Sequence, residues 1–238
     1  MSNKKYIKAI ELPVFNIVAE AAAELQLETY VIGGYVRDFL LSRPYKKDID
    51  FVAVGSGIDL AKKVAQLIPA KPKVQIFKTY GTAMVRYFDK ESKEIIDLEF
   101  VGARKESYSK NSRNPEVQTG TLQDDQNRRD FTINAMAISL NQINYGELLD
   151  PFNGIRDLNN KIIKTPLDPD ITYSDDPLRM MRAIRFATQL SFEIGEESLK
   201  AIKRNSERLK IISSERIVDE LHKILMTEKP STGLKLLE

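Results

Sequence analysis

Two aspartates set two residues apart at the head of an apolar run constrain this chain more than any other feature. Residues 31–54 read VIGGYVRDFLLSRPYKKDIDFVAV, and Asp48 and Asp50 open the run Ile49-Asp50-Phe51-Val52-Ala53-Val54. Side chains alternate faces along a strand, so both carboxylates point to one side of a sheet. Held that close they repel, and a cation between them relieves the repulsion; carboxylates together with substrate phosphates are a usual Mg2+ site. Upstream, Gly33 and Gly34 end the apolar residues 30–32. Arg37 and Asp38 follow one turn later, in a helical pattern carried by Val36, Phe39, Leu40 and Leu41. Glycines let backbone N–H groups approach a phosphate closely, and Arg37 adds a guanidinium to the same anion. Taken singly, a Gly-Gly is an ordinary turn and an Asp-x-Asp an ordinary solvated or capping pair. Together they describe a nucleoside triphosphate site with a metal. No G-x-x-x-x-G-K-[ST] occurs in the sequence, which disfavours a Walker-type phosphate loop.

Composition narrows the chemistry further. The chain has 238 residues, 42% hydrophobic and 29% charged, a globular balance with length for one or two domains. No run of 18 or more apolar residues is present, so no membrane span is expected. The first 13 residues lack the apolar core of a signal peptide, and there are no cysteines, which together point to a cytoplasmic protein without disulfides or zinc–thiolate sites. The single histidine, His222, lies on a helical pattern beside Leu221 and Ile224 and reads as a packing or surface residue. Catalysis therefore has to run on carboxylates, basic residues and metal. Net charge is only +2, but Arg179, Arg182, Arg185, Lys200, Lys203, Arg204, Arg208 and Lys210 crowd one segment. That is either a solvated helical face or a surface for nucleic-acid phosphates.

Taken in order, the pattern predicts a helix over residues 7–27 and a second over 58–68, then strands over 74–77, 82–88 and 94–101, the last two forming a hairpin. In the last strand Asp97 and Glu99 share a face; Asp97 is the stronger candidate for a third metal carboxylate, the alternative being the solvent face of an edge strand. Residues 102–123 are polar and read as a long flexible loop. Thr121 or Asp124 is placed to cap a helix running through Arg128 and Arg129, with Asp130 and Asn134 as polar groups in an otherwise core-like stretch. Short strands over 136–140 and 147–150 close this part, and the turn signals at Pro151 and Asn153-Gly154 mark its exit. From residue 166 the pattern is helical only, with Pro177 suited to a first helical turn and further helices over 196–209 and 213–226. The final residues, with Leu234, Leu236 and Leu237, read as the opening of another helix, so a fragment of a longer protein is expected. The expected domains are 1–165 and 166–238.

Five ordered motifs then carry a resemblance: GGYVRD with KDIDFV, RRDFTINAM, DPFNG-x-x-DL, DDPLRMMRAIRFA and SSERIVDEL. In this order, over residues 31–221, they resemble the bacterial class II tRNA nucleotidyltransferase and poly(A) polymerase family. The resemblance implies an α+β fold, a polymerase-β-like nucleotidyltransferase head with a mixed five-stranded sheet, followed by a helical neck. It implies Mg2+-dependent transfer of CMP or AMP from CTP or ATP to an RNA 3′ end, that of tRNA foremost. Gly33, Gly34 and Arg37 then look like triphosphate contacts and Asp48 and Asp50 like the catalytic metal ligands. Arg128, Arg129, Asp130 and Asn134 match the motif that holds sugar and phosphate, and Asp176, Arg179, Arg182 and Arg185 match the base-reading motif. The alternative for Asp176, directly before Pro177, is a helix cap. Where the family usually has Glu, this chain has Asp175. CCA addition, poly(A) or partial CCA synthesis, and an inactive RNA-binding module are the functions to be separated, the intact aspartate pair weighing against the last.

Overall fold

The computed structural model describes residues 6–44, 47–107 and 116–238. The chain divides into two compact units. The first comprises Met1–Lys105, Val117–Gln126 and Asn134–Pro151, and the second Glu106–Glu116, Asn127–Ile133 and Phe152–Glu238.

The first unit is built on helices α1 (Pro13–Glu24), α2 (Gly34–Leu40) and α3 (Gly57–Leu67), and on strands β1 (Thr29–Ile32), β2 (Asp48–Ala53), β3 (Val74–Phe77), β4 (Thr82–Asp89) and β5 (Glu94–Gly102). Pro13 opens α1, where its missing N–H costs nothing. Ser56 caps α3 by accepting from the Asp59 N–H at 3.1 Å. Two more paired strands, β6 (Arg104–Ser107) and β7 (Glu116–Thr119), precede α4 (Leu122–Asn127), β8 (Ala137–Ser139) and β9 (Leu148–Leu149).

The main sheet has seven strands in the order β3-β4-β5-β2-β1-β8-β9, where the family resemblance implies five. Only β2 and β5 run parallel; the other pairs are antiparallel. The two outermost strands are short, at four and two residues. Ile49, Phe51, Leu98 and Phe100 are buried on one face of the central strands. There Phe51 and Phe100 stack with ring centroids 5.1 Å apart, and Phe15 of α1 meets Phe51 edge-on at 5.8 Å. The opposite face of β2 carries Asp48 and Asp50 and then Val52, which joins Tyr30, Ile32, Ala103, Leu122 and Ala137 in a second, smaller core. The helical start of α3 lies so close to β5 that a Cβ on Gly57 would come within 2.5 Å of the Val101 carbonyl carbon.

Three expectations change here. The helix expected over residues 7–27 is a 3-10 turn, Ile7–Ile10, followed by α1 from Pro13, since proline lacks the N–H a continuous helix needs there. Residues 104–107 and 116–119 of the expected long loop are paired strands, β6 and β7; residues 108–115 lie outside the described residues. Polar strands lack the apolar alternation that would have betrayed them. The helix expected to run through Arg128 and Arg129 stops at Asn127. Thr121 begins it, its hydroxyl 2.8 Å from Asp124 Oδ2, which also accepts the Thr121 N–H at 2.8 Å.

The second unit holds α5 (Gly154–Asn159), α6 (Pro169–Asp175), α7 (Leu178–Leu190), α8 (Glu196–Asn205), α9 (Ser214–Leu225) and α10 (Pro230–Leu237). It is not purely helical: β10 (Ile162–Ile163) and β11 (Glu193–Ile194) form a short parallel pair. Asp168 caps α6 by accepting from the Asp170 and Ile171 N–H groups at 2.8 and 3.2 Å. Pro177 ends that helix, because the residue before a proline is driven out of the helical region, and Asp176 has φ −131° and ψ 96°. The apolar stripe of α7, Leu178, Met181 and Ile184, packs with Ile212 and Ile224.

Candidate active site

The carboxylate pair sits where the alternation places it, at the start of β2. Asp48 is exposed and Asp50 half-buried. The parallel register sets Asp97 beside Asp48 and Glu99 beside Asp50, so four acids share one face of two adjacent strands. Their field is felt at Glu99, whose carboxyl is pushed up by burial and then by Asp50, Asp48 and Asp97. Asp97 is engaged otherwise: its Oδ1 accepts from Arg86 Nε of β4 at 3.2 Å. Both acids of β5 thus flank the pair, Asp97 next to Asp48 and Glu99 next to Asp50. Among the described residues no group of three or more acids or histidines is arranged as a ready metal cage. The two aspartates suit a divalent ion that draws its remaining ligands from phosphates and water, as Mg2+ does.

The glycine turn lies on the neighbouring strand. Gly33 has φ +82° and ψ −134°, a conformation closed to side-chain-bearing residues, and its N–H donates to the Met136 carbonyl at 3.3 Å. Gly34 follows at the head of α2, and a Cβ there would lie 3.6 Å from Arg37 Nη2. Arg37 itself is only 2% exposed. Its Nε and Nη2 donate to the two Asp38 oxygens, each at 2.9 Å, and its Nη1 donates to Asn134 Oδ1 at 2.7 Å. In this fold the Arg37 guanidinium ties the glycine turn to Asp38 and Asn134.

The remaining motif residues belong to the second unit. Asp130 accepts from Arg182 Nε at 2.8 Å and lies 2.6 Å from Arg182 Nη2, while its other oxygen takes the Phe131 N–H at 2.8 Å. Asp130 pushes the Arg182 guanidinium up against the opposing effect of burial. Arg179 Nη2 donates to the Arg128 carbonyl at 2.6 Å. Arg129 is half-buried in the same segment. Phe131 packs edge-on against Phe186 of α7 at 5.7 Å, and Thr132 Oγ1 donates to Asp157 of α5 at 2.7 Å. The arginine motif and α7 are thus one assembly. Asp176 Oδ1 accepts the Leu178 N–H at 3.2 Å, so the capping alternative is realised by one of its oxygens. Arg185 lies over the Phe186 ring at 4.0 Å and donates from Nε to Glu220 at 2.5 Å. Buried Glu220 would titrate high, but Arg185, Lys223 and Arg182 bring it below the ordinary carboxylate value.

Asp176, Leu178 and Arg182 line a cavity of about 320 Å3 together with Arg216, Asp219, Glu220 and Lys223 of α9. Arg216, Asp219 and Glu220 carried no assignment beyond their place in SSERIVDEL, and Lys223 lies just past it. Their spacing of three, four and seven residues was the available signal, since it puts them on one helix face.

Residues 29–164 match the family described as the poly A polymerase head domain. The chain belongs to the poly(A) polymerase head-domain family. Residues 191–238 match a second family, described as "Probable RNA and SrmB- binding site of polymerase A". The chain is 38% identical over 205 residues to an A-adding tRNA nucleotidyltransferase of Aquifex aeolicus, an alignment covering 85% of this chain and 24% of that protein. It is likewise 38% identical over 221 residues to a CCA-adding enzyme of Lactobacillus helveticus, covering 92% of this chain and 50% of the other. A crystal structure of a tRNA nucleotidyltransferase complexed with a primer tRNA and an incoming ATP analog superposes with a TM-score of 0.78 at 36% identity, covering 92% of this chain and 59% of that one. The chain spans about half or less of the length of the curated relatives it matches. In this member of the poly(A) polymerase head family, the matched head region contains Asp48, Asp50 and the whole seven-stranded sheet.

Proposed function

We propose that this protein takes part in template-independent addition of CMP and AMP, from CTP and ATP, to the 3′ end of tRNA. The observation that carries the reading is the aspartate pair at the head of β2, exposed and half-buried on one sheet face, in a chain whose relatives are named CCA-adding and A-adding enzymes. Asp48 and Asp50 hold Mg2+ in this reading; when bound, the ion supplies Lewis acidity to the 3′ hydroxyl and the leaving pyrophosphate in an in-line displacement. The chain's own task is placement and charge. Gly33 and Gly34 admit the triphosphate close to the backbone, and Arg37, through Asn134 and Asp38, holds that turn rigid. Arg128, Arg129 and Asp130 position sugar and phosphate. Asp176 and Arg179 read the base edge: a carboxylate accepts from the exocyclic amine of C or A and rejects the oxygen that U or G presents there. Arg182 and Arg185 support that pair through Asp130 and Glu220. We assign the head to residues 1–165, the neck to 166–238 and the protein to the cytoplasm. No described helix is long and apolar enough to cross a membrane.

The test is incorporation of each of the four ribonucleotides into tRNA lacking its 3′ end. CTP and ATP should be used with Mg2+, UTP and GTP should not, and Asp48→Ala or Asp50→Ala should abolish incorporation with the melting temperature kept. Activity surviving both substitutions sinks the metal assignment. The match to the A-adding enzyme of Aquifex aeolicus supports a second reading, addition of AMP alone; use of ATP without CTP on a tRNA ending in CC would select it.

A further inference from the structure

The acid-bearing face of the sheet does not stop at Glu99. The register continues it in rows across β5 and β4: Asp48 beside Asp97 beside Arg86, and Asp50 beside Glu99 beside Met84. One step along, Ile95 of β5 stands opposite Phe88 of β4 on the same face. The core-side neighbours Tyr87, Ile96 and Leu98 are buried, whereas Phe88 and Ile95 are each 55% exposed. Phe88 and Ile95 pack as a cross-strand aromatic–β-branched pair and leave an apolar surface exposed beside the acids. The row lies two residues along and one or two strands across from Asp48, on the order of 10 Å at ordinary strand spacings. That is the reach of one or two nucleotides from a 3′ hydroxyl placed at the aspartates.

The geometry points to a stacking platform for the single-stranded RNA 3′ end, with a base of one of the last nucleotides lying on Phe88 and Ile95. This rests on the nucleotidyl-transfer reading above. The occupant follows from continuity, since platform and aspartates are one face of one sheet, and from the cations beside it. Arg86 and Lys47 have exposed side chains in surface pairs with Asp97 at 3.2 Å and Glu94 at 3.2 Å. Such pairs are weak and exchange readily for a phosphate. Aromatic stacking accepts any base, which suits a site that must hold an end whose sequence changes as nucleotides are added.

The experiment measures binding of a fluorescein-labelled oligoribonucleotide ending in CC to the full chain by anisotropy, in EDTA, with Phe88→Ala, Phe88→Leu and Phe88→Trp. Loss of one stacked base should weaken binding roughly ten-fold in the Ala and Leu variants, while Trp restores it. In turnover, Phe88→Ala should raise the KM for RNA and leave the KM for CTP and ATP unchanged. Wild-type affinity in Phe88→Ala overturns the platform, as does full affinity in Phe88→Leu or an altered oligomeric state with RNA binding intact. The binding measurement needs no catalysis, so failure to incorporate nucleotides would remove the enzymatic reading and leave the platform to be judged by itself.

Discussion

At the scale of single residues, the informative contrast is between Asp48 and Arg37. One acid stands in water at the head of its strand; the cation expected to meet phosphate is buried and holds two neighbours. Removing the partner of a buried ion is costly because the remaining charge is stranded. Arg37→Met should therefore destabilise the chain by about 3–5 kcal/mol, and Arg37→Met with Asp38→Asn should recover much of the loss. Urea denaturation of the three proteins measures this, and a double variant no more stable than the single would refute the pairing. Asp48 was legible because alternation on a strand needs only local sequence. The burial of Arg37 was not, since one of its partners, Asn134, is 97 positions away. The neighbours of the pair were similarly hidden: alternation puts Asp97 and Glu99 on one face, and only the β2–β5 register sets them beside Asp48 and Asp50.

At the scale of elements, Pro177 marked the opening of α7 in the pattern, whereas the Ser56 cap of α3 and the separate helix α6 appear only in the fold. What the pattern could not show were segments held by tertiary partners. Arg128 and Arg129 looked helical, yet Arg179 claims the Arg128 carbonyl, and Arg182 and Asp157 claim the Asp130 and Thr132 side chains that follow. The sharpest elemental test is the turn from β1 into α2. Gly33→Ala would force a Cβ into φ +82° and ψ −134°, a strain of about 1–3 kcal/mol. Lower thermal stability together with a raised KM for the nucleoside triphosphate is the expected outcome. An unaffected KM would detach the turn from triphosphate binding.

At the scale of the whole molecule, acid should weaken the packing of α7 against α9. Glu220 is 3% exposed and its folded-state value lies below the ordinary 4.5, so its charged form stabilises the fold above that value. The contribution is lost as pH falls through the depressed value, within a window below pH 4.5. Circular dichroism melts between pH 3 and 6 on wild type and Glu220→Gln, approximate limits chosen around the ordinary carboxylate range, should show a steeper decline for the wild type. Parallel curves would mean that other acids govern the transition.

Residues 127–133 belong with the second unit, although the stretches 117–126 and 134–151 on either side belong with the first. The units are therefore stitched through the sequence and not strung one after the other. A chimera joined to a relative at a single peptide bond near residue 165 would keep one protein's arginine motif and receive another's α7. Asp130 would then have to find its guanidinium on a foreign helix. Exchange of nucleotide preference between relatives should accordingly require these seven residues to travel with the helix they grip.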